Sequence, residues 1–326
     1  MNHQKISKSM LQEYYSDYFD VTPLINIIGL TTFRRREFGF DLGDVFVRNL
    51  SFDTPRKLVN YMSRQGVFQA YVGAVYTKSP SKQQTIQKLQ WESRELVFDI
   101  DLDEYDLVRH CNCKGEKTFC DECWTLAQDA MLFLDSTLRE DFGFKDLVWI
   151  FSGRRGVHCW VCDEIAEKLD QIQRSSIINY LTLIREGGTT PHIDALPKYS
   201  KSLKERIFTL LSRSYFQNTT VPDLIQLGFK KGDAEKILKQ VRSKSKFNYQ
   251  LSIPTYPSID PLRLAKAIVI NRYPRIDRKV TMDTRRLLKI PNSIHGKTGN
   301  VCVIIKNISN FDPFNVPSIF DKELSN

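Results

Sequence analysis

Nowhere in this chain is there an apolar run long enough to cross a membrane, and its first residues, MNHQKISKSM, lack the apolar core of a secretory signal. Internal repeats and low-complexity tracts are absent too, which excludes a solenoid and a compositionally biased chain. What remains is the expectation of an intracellular globular protein. Its 326 residues, 41% hydrophobic and 26% charged, are enough for a large core and for one or two domains.

The charge is not balanced. Lys and Arg number 47 against 38 Asp and Glu, a formal net charge of +9. Such an excess favours polyanionic partners, nucleic acid or nucleotides, although it also suits a protein that is merely soluble. Of seven cysteines, four fall in one short stretch: Cys111, Cys113, Cys120 and Cys123. In an intracellular chain that clustering points to a metal rather than to disulfides.

Periodicity organises the rest. Leu11, Tyr14, Tyr15, Tyr18 and Phe19 recur at helical spacing and read as the packed face of an amphipathic helix within the first 28 residues. Residues 36–40, 45–52 and 70–76 read as strands. In ELVFDIDLDEYD, 95–106, Leu96, Phe98, Ile100 and Leu102 alternate with Val97, Asp99, Asp101 and Asp103, predicting a strand with one apolar and one increasingly acidic face. A helix is expected over 122–140, with Ala127, Met131, Leu134 and Leu138 on its stripe. Strands follow at 147–151 and 157–162, joined by the glycine-bounded turn SGRRG, 152–156. From 165 to 250 the composition turns to Lys, Gln, Leu and Ile, as in a helical subdomain inserted into an α/β core. The core, 1–164 and 251–326, resumes strand character near Leu251 and ends in an apolar strand at 301–305.

Alternate residues of a strand share a face, so Asp99 and Asp101 project side by side, with Asp103 third in line. Two charges about 4 Å apart repel by roughly 4 kcal/mol at an effective dielectric near 20. On a strand flanked by Val, Phe and Ile, that repulsion calls for a counter-charge, and Mg²⁺ or Mn²⁺ suits oxygen ligands. The competing interpretation is a strand end running into a solvated acidic loop, since Glu104 and Asp106 follow.

SGRRGVHCW supplies Ser152, Arg154, Arg155 and His158, and its glycines let the backbone turn tightly. Two guanidiniums there can clamp phosphate oxygens; an exposed hairpin with ordinary arginines carries equal weight. A second polar set, Asp277, Arg285, Arg286, Lys289, His295 and Lys297, gains meaning only if it meets the acidic strand. Cys120-x-x-Cys123 has zinc-knuckle spacing, and four thiolates satisfy a closed tetrahedral site of a structural kind, with His110 as an alternative ligand. Cys159 and Cys162, three apart on a strand, face opposite sides and read as buried small hydrophobes.

Taken in order, VFDIDLDEYD, a cysteine cluster ending in CW, and WIFSGRRGVHCWVCD resemble the signature of the archaeo-eukaryotic primase family, specifically the catalytic small subunits of eukaryotic-type DNA primases. REFGF at 36–40, GAVY at 73–76, EDFGF at 140–144, PRID at 274–277, HGKTG at 295–299 and FDPFNVPSI at 311–319 extend the match over nearly all of the core. The helical stretch, roughly 165–255, carries little of it. The resemblance implies an α+β primase core with mixed β-sheets, a zinc module at about 108–126 and a helical subdomain. It implies that Asp99, Asp101 and Asp277 hold catalytic Mg²⁺ or Mn²⁺, two ions in all. It also implies that Ser152, Arg154, Arg155, His158, Lys289 and His295, together with Arg48, grip the nucleotide, and that Cys111, Cys113, Cys120 and Cys123 bind one structural Zn²⁺. Three departures stand out, the first being Asp103, an extra acid that is not expected to be a ligand. Asn112 separates cysteines that are commonly adjacent in the family, and Tyr71 stands where members can carry an acid.

The implied reaction is attack of a ribose 3′-hydroxyl on the α-phosphorus of an NTP, releasing pyrophosphate, to make RNA primers on single-stranded DNA for the initiation of replication. Implied partners are NTPs, the template and primer duplex, the large primase subunit and the DNA polymerase alpha complex, with a nuclear location. Three competitors are a primase-polymerase extending with dNTPs, a non-catalytic zinc-dependent nucleic-acid binding module, and a metal nuclease. The first lacks its expected extension here, and the last has no use for so many triphosphate-type ligands.

Overall fold

Where apolar and polar residues alternate the chain forms strands, and where apolar residues recur every third or fourth position it forms helices. The structure is a computed structural model that describes residues 5–82, 89–109, 111–116, 118–183, 201–243 and 261–321. Its elements begin with α1 (Lys8–Glu13), α2 (Thr22–Ile28), β1 (Arg36–Asp41), β2 (Phe46–Leu50), α3 (Pro55–Gln65) and β3 (Gln69–Tyr76). Then come β4 (Trp91–Ser93), β5 (Leu96–Asp101), α4 (Asp121–Glu140), β6 (Leu147–Phe151), β7 (Gly156–Val161), α5 (Glu164–Glu167) and α6 (Gln171–Leu181). Helices follow as α7 (Lys201–Arg206), α8 (Ser212–Gln217), α9 (Val221–Gln226), α10 (Lys231–Ser243), α11 (Pro261–Arg272) and α12 (Arg278–Met282), and the chain closes with β8 (Leu288–Lys289) and β9 (Val303–Ile304). The architecture is α+β, as expected. Among the described residues no helix is long and apolar enough to cross a membrane.

Contacts divide the chain into two compact units, Met1–Asp99 with Phe144–Ile178 and Asp277–Asn326, and Ile100–Gly143 with Asn179–Ile276. In the first, one sheet has the order β2-β1-β3-β4, with β8 also pairing with β3, and the other has the order β5-β7-β6-β9. Strand β3 pairs antiparallel with β1 and β8, setting Tyr71 opposite Lys289. Strands β6 and β7 form an antiparallel hairpin that sets Ile150 opposite His158. One core joins the N-terminal helices to both sheets: Leu11, Tyr15, Leu24 and Phe33 pack with Phe38, Phe40 and Val72, and with Val97, Ile150 and Trp160. Two of the N-terminal tyrosines do more than pack. Tyr14 Oη donates to the carbonyl of Asn292 at 2.7 Å, and Tyr15 Oη accepts the N–H of Ile294 at 3.2 Å, which fixes the approach to His295.

The second unit is mostly helical and has its own core, where Phe133 on α4 packs with Ile207, Leu211, Leu238, Ile268 and Tyr273. Two of its buried arginines face carboxylates. Arg206 donates to Asp141 and Glu140, and Arg272 Nε lies 3.5 Å from Asp129 Oδ2.

Three expectations need correction. The acidic strand stops at Asp101, where a 3₁₀ turn, Leu102–Tyr105, begins, so Asp103 is not third in line on a strand face. The Asp101 carboxylate accepts the N–H of Asp103 at 3.1 Å and starts that turn, which lets both Leu102 and Tyr105 bury. The first helix is interrupted by a π-helical turn, Tyr14–Tyr18. The last strand is only Val303–Ile304, because Val301 pairs with Ile294 in an isolated bridge and Cys302 N–H donates to Ser293. The strand character expected near Leu251 lies outside the described residues.

Candidate active site

Strand β5 delivers the first carboxylates. Along Leu96–Asp101 the first three residues and Ile100 are buried while Asp99 and Asp101 are half-exposed, so the two acids share the open face that alternation predicts. Asp99 Oδ1 lies 3.3 Å from His158 Nε2 on β7. Asp277 is brought to the same place by the backbone, for its N–H donates to the Asp99 carbonyl at 3.0 Å. Its carboxylate caps α12, Oδ1 accepting the N–H groups of Lys279 at 2.8 Å and Val280 at 3.2 Å.

The basic turn between β6 and β7 closes on itself. Ser152 N–H donates to the Gly156 carbonyl at 2.9 Å, and Ser152 Oγ accepts the N–H of Gly156 at 3.1 Å. Gly153 has φ +84°, and a Cβ there would stand 2.8 Å from His295 Cβ, so conformation and space both require glycine. The loop 295–299 packs against the turn, with Thr298 Oγ1 donating to the Gly153 carbonyl at 2.8 Å. Lys289 Nζ donates to the Ser152 carbonyl at 3.2 Å. Arg155 is buried.

His295 is also buried, and burial, then the charges of Lys289 and Arg154, push it down to about 3. Its ring is therefore neutral at neutral pH. Nδ1 accepts the N–H of Lys297 at 3.3 Å, which places the remaining proton on Nε2.

Arg48, on β2, is anchored from behind. Its Nε donates to Glu37 Oε1 at 2.9 Å and its Nη2 to the Arg285 carbonyl at 3.0 Å. Glu37 is fully buried and also accepts from Tyr76 Oη at 3.1 Å. Glu37 is not singled out by the sequence; the signal available was an acid between Arg36 and Phe38 at the start of the strand REFGF. Tyr71, beside Lys289 in register, donates to Gln69 Oε1 at 3.0 Å and meets the Phe46 ring edge-on at 5.7 Å.

In the second unit, the thiol sulfurs of Cys111, Cys113, Cys120 and Cys123 all lie within 4.8 Å of one another. Cys120 and Cys123 Sγ are 3.8 Å apart. A tetrahedron with Zn–S bonds of about 2.3 Å has edges of about 3.8 Å, so the set fits zinc. Cys120 caps α4, and its N–H donates to Cys123 Sγ at 3.2 Å, while Arg109 Nη1 sits 3.8 Å from the same sulfur. Burial, with neighbouring thiolates adding to it, pushes Cys123 up to about 11; a bound cation would reverse that. His110, the alternative ligand, lies outside the described residues. Cys159 is buried and Cys162 half-buried, with Cys162 Sγ donating to the Trp160 carbonyl, so neither joins a metal set.

These features have counterparts in known proteins. The family model described as DNA primase small subunit matches residues 98–306, more than half of the chain. A DNA primase small subunit from Drosophila melanogaster is 33% identical over 97% of this chain and 81% of its own length. The protein of that name from Saccharomyces cerevisiae is 31% identical over 97% and 85%. The DNA primase small subunit PriS from Thermococcus kodakarensis is 30% identical over 92% and 88%. With its paired aspartates, basic turn and four-cysteine cluster inside the matched region, the chain belongs to the DNA primase small subunit family.

Proposed function

We propose that this chain is the catalytic subunit of a DNA primase, assembling short RNA primers from NTPs on single-stranded DNA. The observation that carries the reading is the meeting, within one compact unit, of Asp99, His158 and Asp277 with the basic turn, Lys289 and His295. Carboxylates beside concentrated positive charge suit a reaction in which a polyphosphate is first held and then broken. A ribose 3′-hydroxyl attacks the α-phosphorus and pyrophosphate leaves.

Asp99, Asp101 and Asp277 are the groups that would hold two Mg²⁺ or Mn²⁺ ions. Among the described residues the cysteines alone gather three or more ligand atoms within 4.8 Å. An open oxygen site, completed by water and phosphate oxygens, is what Mg²⁺ takes, so the donor chemistry fits. When bound, such ions make the attacking hydroxyl more acidic and stabilise the leaving oxygen. The chain's own groups orient and hold the substrate. Arg154 and Arg155 offer planar forks to phosphate oxygens, Lys289 a point charge, and neutral His295 a single N–H donor. His158 steadies the Asp99 carboxylate, and Glu37 holds Arg48 toward the nucleotide.

Zn²⁺ at the four cysteines is structural, since a closed set of four leaves no open position. The relatives are named small subunits, which supports a large-subunit partner, and the resemblance extends the reading to the DNA polymerase alpha complex and a nuclear location. Primer synthesis from NTPs on a single-stranded template, with and without Mn²⁺, tests the proposal. Cation-dependent product is expected. Template binding with no synthesis would instead make the chain a non-catalytic binding module.

A further inference from the structure

Arg94 lies between β4 and β5 in the first unit and is fully buried. Its backbone is fixed on both sides, the N–H donating to the Glu167 carbonyl at 2.9 Å and the carbonyl accepting from Arg174 Nη2 at 2.6 Å. Its guanidinium reaches to α12, where Nη1 donates to the carbonyls of Asp283 at 2.6 Å and Val280 at 3.4 Å. Carbonyls at a helix C-terminus have no partner within the helix and need one from elsewhere.

At its other end α12 starts from Asp277, whose N–H bonds the Asp99 carbonyl. The short helix is therefore fastened twice to one stretch of chain, by Asp99 at its N-terminus and by Arg94 at its C-terminus. A buried arginine is a poor choice for stability alone. Nε and Nη2 have no hydrogen-bond partner among the described residues, and the like charges of Arg174 and Arg36 stand against the opposite charges of Glu95 and Asp283, so burial is the leading cost. Apolar side chains fill such positions at lower cost.

We propose that Arg94 is a positioning residue: by clamping α12 to the β5 segment it sets where the Asp277 carboxylate stands relative to Asp99, and so the affinity of the pair for divalent cations. The inference rests on the reading of these aspartates as the metal-binding carboxylates. A neutral side chain at 94 leaves the C-terminal carbonyls of α12 without this donor, so the helix is tied to the β5 segment by the Asp277–Asp99 bond and held otherwise by the packing of Val280 in the core. Lysine keeps a donor for the same carbonyls and restores part of the clamp.

The test is Mn²⁺ binding to the zinc-loaded full chain, read from the EPR signal of free Mn²⁺, with thermal unfolding measured alongside. Arg94→Met is expected to weaken Mn²⁺ binding about 10- to 100-fold, the range seen when groups that orient metal ligands are removed. Arg94→Lys should recover part of that loss, and added Mn²⁺ should restore part of the primer synthesis of either variant. Leu58→Ala, which opens a cavity in the core of the same unit, should lower the melting temperature and leave Mn²⁺ affinity unchanged. If Arg94→Met does not fold, Arg94→Gln, whose shorter side chain does not span to the α12 carbonyls, takes its place, and wild-type Mn²⁺ affinity in that folded variant overturns the clamp. Wild-type Mn²⁺ affinity in a folded Arg94→Met overturns it directly, provided Asp99→Asn and Asp277→Asn do lose binding. If those two keep wild-type affinity, the carboxylate reading fails and the role of Arg94 falls with it.

Discussion

Asp277 donates its backbone N–H to the carbonyl of Asp99 at 3.0 Å, so two carboxylates from distant parts of the chain are joined by main chain rather than by side chains. The bond survives any substitution at either position except proline at 277. Side-chain chemistry can therefore be altered at both sites without dismantling the arrangement.

Asp277→Asn follows from that. Asparagine caps a helix about as well as aspartate, so α12 should keep its start and the melting temperature should barely move. Primer synthesis should fall by roughly 100-fold or more, at least the upper end of what changes behind a metal ligand bring. Asp277→Ala should lose the cap as well, at about 1 kcal/mol. Asp101→Asn should likewise abolish synthesis with the fold intact. Paired activity and unfolding measurements check this; near-normal synthesis by Asp277→Asn would count against the carboxylate's role.

Zinc content tests the cysteine cluster. The purified protein should carry about one Zn²⁺ per chain. Cys120→Ser removes one ligand while serine can still cap α4, so zinc should fall, and stability with it through the lost metal. Metal analysis finding no zinc, with Cys120→Ser harmless, would reject the site. Should Cys111→Ser keep zinc while His110→Ala loses it, His110 is the ligand.

Arg155→Lys keeps the charge but loses the planar fork, and should weaken NTP binding more than template binding. Charge-assisted hydrogen bonds contribute roughly 1.5–3 kcal/mol each, so a loss of about tenfold or more is expected. Titrating NTP and single-stranded DNA separately, at several salt concentrations, distinguishes the roles. A changed salt slope for DNA with unaltered NTP affinity would assign the arginine to the template backbone.

His295 makes stability depend on pH. Its folded pKa of about 3 lies below the unfolded value of about 6.5, so between those limits the unfolded chain binds a proton that the folded chain does not. Stability is then lost as pH falls through that window, by up to about 1.4 kcal/mol per pH unit from this group. Urea unfolding of wild type and His295→Gln at pH 7, 6 and 5 should show the wild type losing about 2 kcal/mol more across that range. Parallel pH profiles would mean that His295 titrates normally.

Much of this protein is written locally. The strand at 96–101 follows from apolar alternation, because side-chain direction in a strand depends only on neighbouring residues, and those at 69–76 and 147–151 follow from short apolar runs. The spacing of Cys120 and Cys123, and the shared face of Asp99 and Asp101, are equally local and legible. Other features required the folded chain. That the acidic strand ends at Asp101 depends on burying Leu102 and Tyr105 together, and Tyr105 Oη accepts the N–H of Arg275, far along the sequence. Glu37 shows its purpose only once β1 and β2 pair and Arg48 arrives beside it. Nor does the sequence say that the His295 loop covers Gly153, that Asp277 meets Asp99, or that Arg94 reaches the end of α12. Residue type and spacing set which chemistry each short segment can offer; which segments meet is decided by packing summed over the whole core, and no local pattern encodes that sum.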